Sequence, residues 1–173
     1  MSIKDLFIIG LTLCLSSHCL AQQGVFASLD DVLQQAFVDT EAQPKTLWLT
    51  NEVKARFQED LGFNISGLRQ RYWQGDERTL WILDEIGKEH PITFAFIIEN
   101  DQVASTLIME YRESRGGEIR HDFFRQQYYG IKLIDDKLDR NIDGITGATL
   151  SVNAMSKMAK QALWLHREIN NQG

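Results

Sequence analysis

The sequence predicts an α+β fold, in which an antiparallel sheet packs against helices and a long helix ends the chain. Segments with helical periodicity stand near both ends of the chain, and consecutive segments with strand alternation stand between them. The 173 residues are 43% hydrophobic and 24% charged, with only 2 Pro and 2 Cys. This composition is typical of one ordinary globular domain and excludes collagen-like, low-complexity and disulfide-scaffold proteins.

The N-terminus has the features of a secretory signal peptide. Lys4 precedes the apolar run Leu6–Leu15, and small residues lead up to Ala21. The run is too short for a retained membrane-spanning helix, and a buried N-terminal helix or a membrane anchor is the alternative. We expect residues 1–21 to be removed, residues 22–173 to form a single domain, and the protein to be periplasmic.

The cysteine, histidine and charge content of the sequence limits the classes of function that the protein can have. Removal of the signal peptide would remove both cysteines, Cys14 and Cys19, so redox chemistry would need an organic cofactor or a metal site without thiolates. His90, His121 and His166 lack the spacing of a metal site, and none is predicted. The net charge of −6 argues against a nucleic-acid partner, which would favour a basic surface.

Two helices are predicted before the sheet. Ser28 is placed to cap the first, and Thr50 to cap the second, which Gly62 closes. Each has apolar residues at helical spacing: Leu29, Val32, Leu33 and Ala36 in the first, and Val53, Phe57 and Leu61 in the second.

Three strands are predicted next, joined by short turns. Leu80–Ile86 is the first, and Gly87–Pro91 is a turn. The second strand has four apolar residues on one face: Ile92, Phe94, Phe96 and Ile98. After a turn at residues 99–102, the third strand is expected to present Val103, Ser105, Leu107, Met109 and Tyr111 on one face. Together they predict an antiparallel meander with one face on the core.

The last third of the chain is predicted to be mainly helical. A short helix is expected over Asp122–Tyr129, ended by Gly130, and a short strand over Ile131–Ile134. Leu150–Ile169 is the strongest helical pattern, with a buried stripe of Val152, Met155, Ala159, Ala162, Leu163 and Ile169.

The segment Asp143–Thr149 (DGITGAT) is the candidate functional loop. Gly144 and Gly147 permit tight turns, and Thr146 and Thr149 bring hydroxyl groups to the first turn of the last helix. Free backbone N–H groups and the helix dipole make such a position suitable for a phosphate. The alternative is structural: Thr146 or Thr149 simply caps the helix.

This segment resembles the flavinylation motif of the FMN-binding domain family, which includes the C subunit of sodium-pumping NADH:quinone oxidoreductase and the G subunit of the Rnf complex. The resemblance implies that a flavin transferase, using FAD and magnesium, joins the phosphate of FMN to Thr149 through a phosphoester. It implies recognition roles for the preceding motif residues, Asp143, Gly144, Thr146, Gly147 and Ala148.

The resemblance extends over about Thr79–Leu165. A Glu-Thr-Pro-Gly-like loop of the family is matched by Glu113, Ser114 and Gly116, whereas Arg115 replaces the usual proline and Glu118 a common glycine. Glu113 and Ser114 either hydrogen-bond the flavin or form a solvated strand end. Three nearby aromatic residues either flank the flavin ring or belong to the core: Phe123, Phe124 and Tyr128.

The resemblance implies a periplasmic electron-transfer flavoprotein carrying covalent FMN. Its implied partners are the flavin transferase and a membrane-bound or periplasmic redox protein, such as a cytochrome or a ferric-reductase-like protein. Two alternatives remain open at this point: an accessory or sensor module of a membrane redox complex, and a small flavin-dependent reductase. An electron carrier is favoured over a stand-alone enzyme, and no catalytic residue is assigned.

Overall fold

A six-stranded antiparallel sheet is the centre of the computed structural model, which describes residues 23–171. The predicted signal peptide lies outside the described residues. The strands are β1 (Gly24–Val25), β2 (Gln43–Trp48), β3 (Arg69–Gly75), β4 (Arg78–Ile86), β5 (Pro91–Glu99), β6 (Gln102–Tyr111), β7 (Leu133–Ile134) and β8 (Lys137–Leu138). The α-helices are α1 (Leu29–Ala36), α2 (Asn51–Leu61), α3 (Asp122–Arg125) and α4 (Thr149–Asn171), and short 3₁₀ turns flank α3.

The strand order β1-β6-β5-β4-β3-β2 confirms the predicted meander and the α+β class. Strands β3 to β6 follow one another through short turns, and β7 and β8 form a separate small hairpin. The β5–β6 turn places Asn100 and Asp101 at φ values of 53° and 58°, the backbone of the tightest hairpin turns. Sequence patterning missed β2 and β3, which are mostly polar, and Pro44 is tolerated in β2 because this strand is at the sheet edge.

Helices cover both faces of the sheet. On one face, α4 packs over β5 and α2 packs against α4. Phe94, Phe96 and Ile98 of β5 are fully buried there, as the alternation predicts. On the other face, α1 packs over residues of the opposite parity, such as Ala95 and Ile97. Because both faces are covered, the strand carries an almost unbroken apolar run. No helix in the described part of the chain is long and apolar enough to cross a membrane.

The predicted single apolar face of β6 is wrong. Val103 and Tyr111 join the core under α4, whereas Leu107 and Met109 lie on the α1 side. The Cα pairing of β6 with β5 skips Ala104 and Met109, so β6 contains two β-bulges. Each extra residue shifts the alternation by one position, and the side chains that follow point to the other face.

The predicted ends of α1 and α2 are confirmed, whereas the helix predicted over Asp122–Tyr129 is α-helical only over Asp122–Arg125 and continues as a 3₁₀ turn. Ser28 caps α1 in a capping box, in which the Asp31 N–H donates to Ser28 Oγ at 3.2 Å and the Ser28 N–H donates to Asp31 Oδ2 at 2.8 Å. Thr50 Oγ1 accepts from the Val53 N–H at 3.3 Å, and Gly62 ends α2 with a φ of 75°.

Helix α4 runs across the whole sheet. Its 23 residues span roughly 35 Å, and most of its predicted stripe is buried, although Ile169 is only partly covered. Its last turns lie beside the β5–β6 turn, where His166 faces Asp101. Its first turn therefore lies at the opposite end of the sheet, beside the β4–β5 turn.

A buried hydrogen-bond chain anchors the far end of α4. Trp81 Nε1 donates to Thr79 Oγ1 at 2.9 Å, and Thr79 Oγ1 lies 2.7 Å from His166 Nδ1. The Thr79 hydroxyl therefore links the Trp81 indole to the His166 imidazole inside the core. Burial lowers the pKa of His166, and the nearby Asp101 carboxylate only partly offsets this effect.

This histidine predicts a pH dependence of stability. A group whose pKa is lower in the folded state takes up its proton more readily on unfolding. We therefore expect the free energy of unfolding to fall as the pH drops below about 6.5, the value of an unperturbed histidine. His166→Gln should lower stability and flatten this slope, measured by urea unfolding between about pH 7.5 and pH 5.5. The exposed His121→Gln is the control, and parallel slopes for wild type and His166→Gln would contradict the prediction.

Candidate functional site

Three segments meet around a cavity at the start of α4. They are the loop and first turn of α4, the exit of β6, and the β4–β5 turn. The cavity has a volume of about 540 Å³, within the range of small-molecule sites. Its walls are formed by Lys88, Glu113, Ser114, Arg115, Gly147, Ala148, Thr149, Leu150 and Ser151.

The first residue of α4 is Thr149, and Ala148 occupies the capping position. The Ala148 carbonyl accepts from the Val152 N–H at 3.0 Å, as the N-cap carbonyl of a helix does. Neither Thr146 nor Thr149 caps the helix, so the structural alternative for these threonines is wrong. Both are exposed, and within residues 23–171 neither hydroxyl has a hydrogen-bond partner. The exposed Thr149 hydroxyl therefore lies at the first turn of α4, where the backbone N–H groups have no acceptor within the helix.

The two glycines of the loop are not equivalent. Gly147 has a φ of 83°, in the left-handed region that side chains with a Cβ adopt at a cost. Gly144 lies outside that region and has open space around it. The expectation that both glycines permit tight turns therefore holds for Gly147 alone.

The Glu113 side chain holds the β4–β5 turn at the cavity through hydrogen bonds. Its side chain is only 4% exposed, and Oε1 accepts from the N–H groups of Lys88, Glu89 (2.6 Å) and His90 (2.9 Å). Burial by itself would raise the pKa of Glu113, but these three hydrogen bonds outweigh it and the pKa is lowered. For Glu113, the alternative of a solvated strand end is wrong, whereas Ser114 is exposed at the cavity.

Gly116 packs the β6 exit loop against α4. It has a φ of 84°, and a Cβ there would lie 2.8 Å from Ser151 Oγ and 2.9 Å from Tyr111 Oη. The Tyr111 hydroxyl donates to the Arg115 carbonyl, and its oxygen lies 3.0 Å from Ser151 Oγ. Burial raises the pKa of Tyr111, which keeps the hydroxyl proton available for this bond. The loop and the helix start are thus held together.

The structure brings together most, but not all, of the predicted site residues. Glu113, Ser114, Gly147, Ala148 and Thr149 line the cavity, with Gly116 packed behind them. The remaining three lie on the exposed loop before the cavity: Asp143, Gly144 and Thr146.

The aromatic residues after the β6 loop do not reach the cavity walls. Phe124 and Tyr128 are fully buried core residues, and the Tyr128 hydroxyl lies 2.8 Å from Ser156 Oγ. Phe123 is 66% exposed and lies against His121. For Phe124 and Tyr128, the core interpretation holds.

Sequence reasoning missed Lys88, Leu150 and Ser151 as cavity residues. No local pattern could have identified Lys88, because its place at the cavity depends on a contact with Glu113, 25 residues away.

The site has the properties of an anion-binding pocket beside an exposed hydroxyl group. Helix N–H groups, Lys88 and Arg115 offer positive charge and donors, and Thr149 offers its hydroxyl. The described residues contain no group of three or more His, Cys, Asp or Glu that could hold a metal ion. The donors and cations on these walls suit an anion such as a phosphate.

Gly147 has a left-handed backbone and Gly144 does not, so their alanine variants form a matched pair for a stability test. Gly147→Ala should lower the free energy of unfolding by about 1 to 2 kcal/mol, because alanine is strained in a left-handed backbone conformation. A Cβ at this position would meet no atom within 4 Å, so the backbone strain is the whole cost. Gly144→Ala should leave stability unchanged or raise it by up to about 1 kcal/mol. Urea unfolding of both variants measures the difference, and equal effects would contradict the assignment.

Comparison with known proteins agrees with this geometry. Residues 87–164 match the family model of the FMN-binding domain. No curated protein and no solved structure matches the chain. The matched segment contains the β4–β5 turn, the β6 exit loop and the start of α4, which together form the cavity. Residues 87–164 are therefore similar to the FMN-binding domain family, as the sequence motif predicts, and this similarity supports flavin binding.

Proposed function

We propose that this protein is a periplasmic electron-transfer flavoprotein whose FMN is joined to Thr149 by a phosphoester. The observation that carries the proposal is the state of the Thr149 hydroxyl. It is exposed, has no hydrogen-bond partner among the described residues, and stands at the N-terminus of α4 on the wall of the cavity.

The residues of the cavity fit FMN. Its volume is adequate for an organic ligand, and the helix start, Lys88 and Arg115 suit a phosphate. Other hydroxyl groups nearby are less suited to attachment. Ser151 is buried and bonded to Tyr111, and Ser114 is exposed but lies outside the helix start.

Attachment requires little rearrangement at Thr149, since its hydroxyl has no hydrogen bond to break within the described part of the chain. The Thr149 oxygen forms a bond to the phosphorus of the FMN half of FAD, the pyrophosphate bond breaks, AMP leaves, and the hydroxyl proton is lost. The proposed flavin transferase supplies FAD and magnesium for this step. The resulting diester keeps one negative charge, which the α4 dipole stabilises by about 0.3–1 kcal/mol.

The bound flavin supplies one- and two-electron chemistry that the described residues cannot provide, since they contain no cysteine. The chain holds the group and orients it at the open end of the sheet. We propose a membrane-bound or periplasmic partner, such as a cytochrome or a ferric-reductase-like protein. The net charge of −6 suits a partner with a basic docking surface.

Co-expression with the flavin transferase tests the attachment. The peptide that contains Thr149 should gain about 438 Da, the mass of FMN minus water, and the purified protein should absorb near about 450 nm. Thr149→Val should abolish both signals without a loss of folding, and Ser114→Ala should retain them. An unmodified wild-type peptide, or stoichiometric flavin on Thr149→Val, would refute the covalent linkage.

Export is tested separately from attachment. We expect the mature protein to begin at Gln22 and to be found in the periplasmic fraction, because residues 1–21 have the pattern of a cleaved signal peptide. N-terminal sequencing of fractionated protein measures this, with Thr149→Val as a control that is exported equally. Recovery of uncleaved protein from the cytoplasm would overturn the proposed location.

A further inference from the structure

The β4–β5 turn is held to the site by an unusual concentration of hydrogen bonds. Lys88, Glu89 and His90 are consecutive, and their three N–H groups all donate to Oε1 of the buried Glu113. The turn already closes on itself, since the Gly87 N–H donates to the His90 carbonyl at 3.1 Å. The contact with Glu113 therefore does more than form the turn: it fixes the turn's position relative to the β6 exit loop.

The approach is close enough to restrict the residue before Lys88. A Cβ on Gly87 would lie 2.9 Å from Glu113 Oε1 and 3.0 Å from Ile92 Cδ1. The turn thus fits tightly over the carboxylate. One consequence is that Lys88, which lies outside the loop with the sequence motif, becomes part of the cavity wall that includes Thr149.

The ammonium group of Lys88 can bind an anion in the cavity. Its ammonium group lies 3.1 Å from Glu89 Oε1, but the two side chains are 71% and 62% exposed. An exposed pair of this kind is weak, because water screens both charges, so an anion can replace the glutamate at little cost. A lysine ammonium offers three N–H donors to phosphate oxygens.

The charge of the cavity wall has the sign that a phosphate requires. Lys88 and Arg115 are its cations, and Glu113 is its acidic residue. Oε1 of Glu113 is already occupied by three backbone N–H groups, which offset its charge. The wall is therefore positive, although the chain as a whole carries a net charge of −6.

We propose that Lys88 binds the phosphate that links FMN to Thr149, and that Glu113 is the positioning residue that brings Lys88 to it. This inference rests on the proposed function and adds a phosphate contact from a segment outside the motif. Arg115 is the second cation of the wall, and the experiment therefore includes it.

The test uses the flavinylated protein and its single phosphodiester resonance in ³¹P NMR. Lys88→Gln should move this resonance, because the charge beside the phosphate is lost. Lys137→Gln makes the same charge change on β8, beside Asp136, which pairs with Arg167 near the far end of α4. It should leave the resonance in place. An unmoved resonance in Lys88→Gln, or a shift found only in Arg115→Gln, would overturn the assignment.

Glu113 is tested by the same resonance. Glu113→Gln should shift it in the direction of Lys88→Gln, and the double variant should shift no further than Lys88→Gln alone. A purely structural role would lower the melting temperature and leave the resonance at its wild-type position. Should Glu113→Gln fail to fold, the single Lys88→Gln variant still decides whether Lys88 touches the phosphate.

The outcomes separate this inference from the proposed function. Wild-type protein without a phosphodiester resonance would refute the attachment itself. A normal wild-type resonance that is unchanged in Lys88→Gln would refute the lysine contact and leave the attachment intact. A shift of the flavin absorption band in Lys88→Gln without any ³¹P change would place Lys88 at the ring, which also overturns the phosphate assignment.

Discussion

The burial of α4 fixes where its first turn lies, and the rest of the site depends on that position. Met155, Ala159 and Ala162 are fully buried against the sheet, so the helix can neither rotate nor slide without exposing apolar surface. The polar groups at the start of a helix must remain outside the core. The packing of the stripe therefore holds Thr149 and its neighbouring N–H groups at the end of the sheet where β6 exits.

Two fixed contacts then build the cavity around this helix start. The Tyr111 and Ser151 hydroxyls connect the β6 exit loop to α4, and Glu113 connects the same loop to the β4–β5 turn. These contacts occupy the buried polar groups near the site, as buried polar groups require. The Thr149 hydroxyl is left exposed and has no hydrogen-bond partner among residues 23–171, so the proposed attachment would break no hydrogen bond within this part of the chain.

Sequence reasoning succeeded where structure is determined locally and failed where it depends on distant residues. Capping residues such as Ser28 and Thr50 act within one helical turn, so both helix starts were predictable. The two bulges of β6 carry no residue pattern of their own, and they reversed the predicted orientation of Leu107. The place of Lys88 in the site follows from a hydrogen bond across 25 residues, which a local motif does not encode.

The polar character of the cavity bears on why a covalent link would be used. Reversible cofactor sites are mostly apolar and enclose most of the ligand surface. This cavity has Leu150 and Ala148 as its apolar side chains, and its other walls are charged, hydroxylic or glycine. Leu150 is itself 49% exposed, so it offers little enclosure for a flavin ring. The proposed phosphoester at Thr149 would supply the retention that burial of the ring does not, and would leave the flavin accessible to a redox partner.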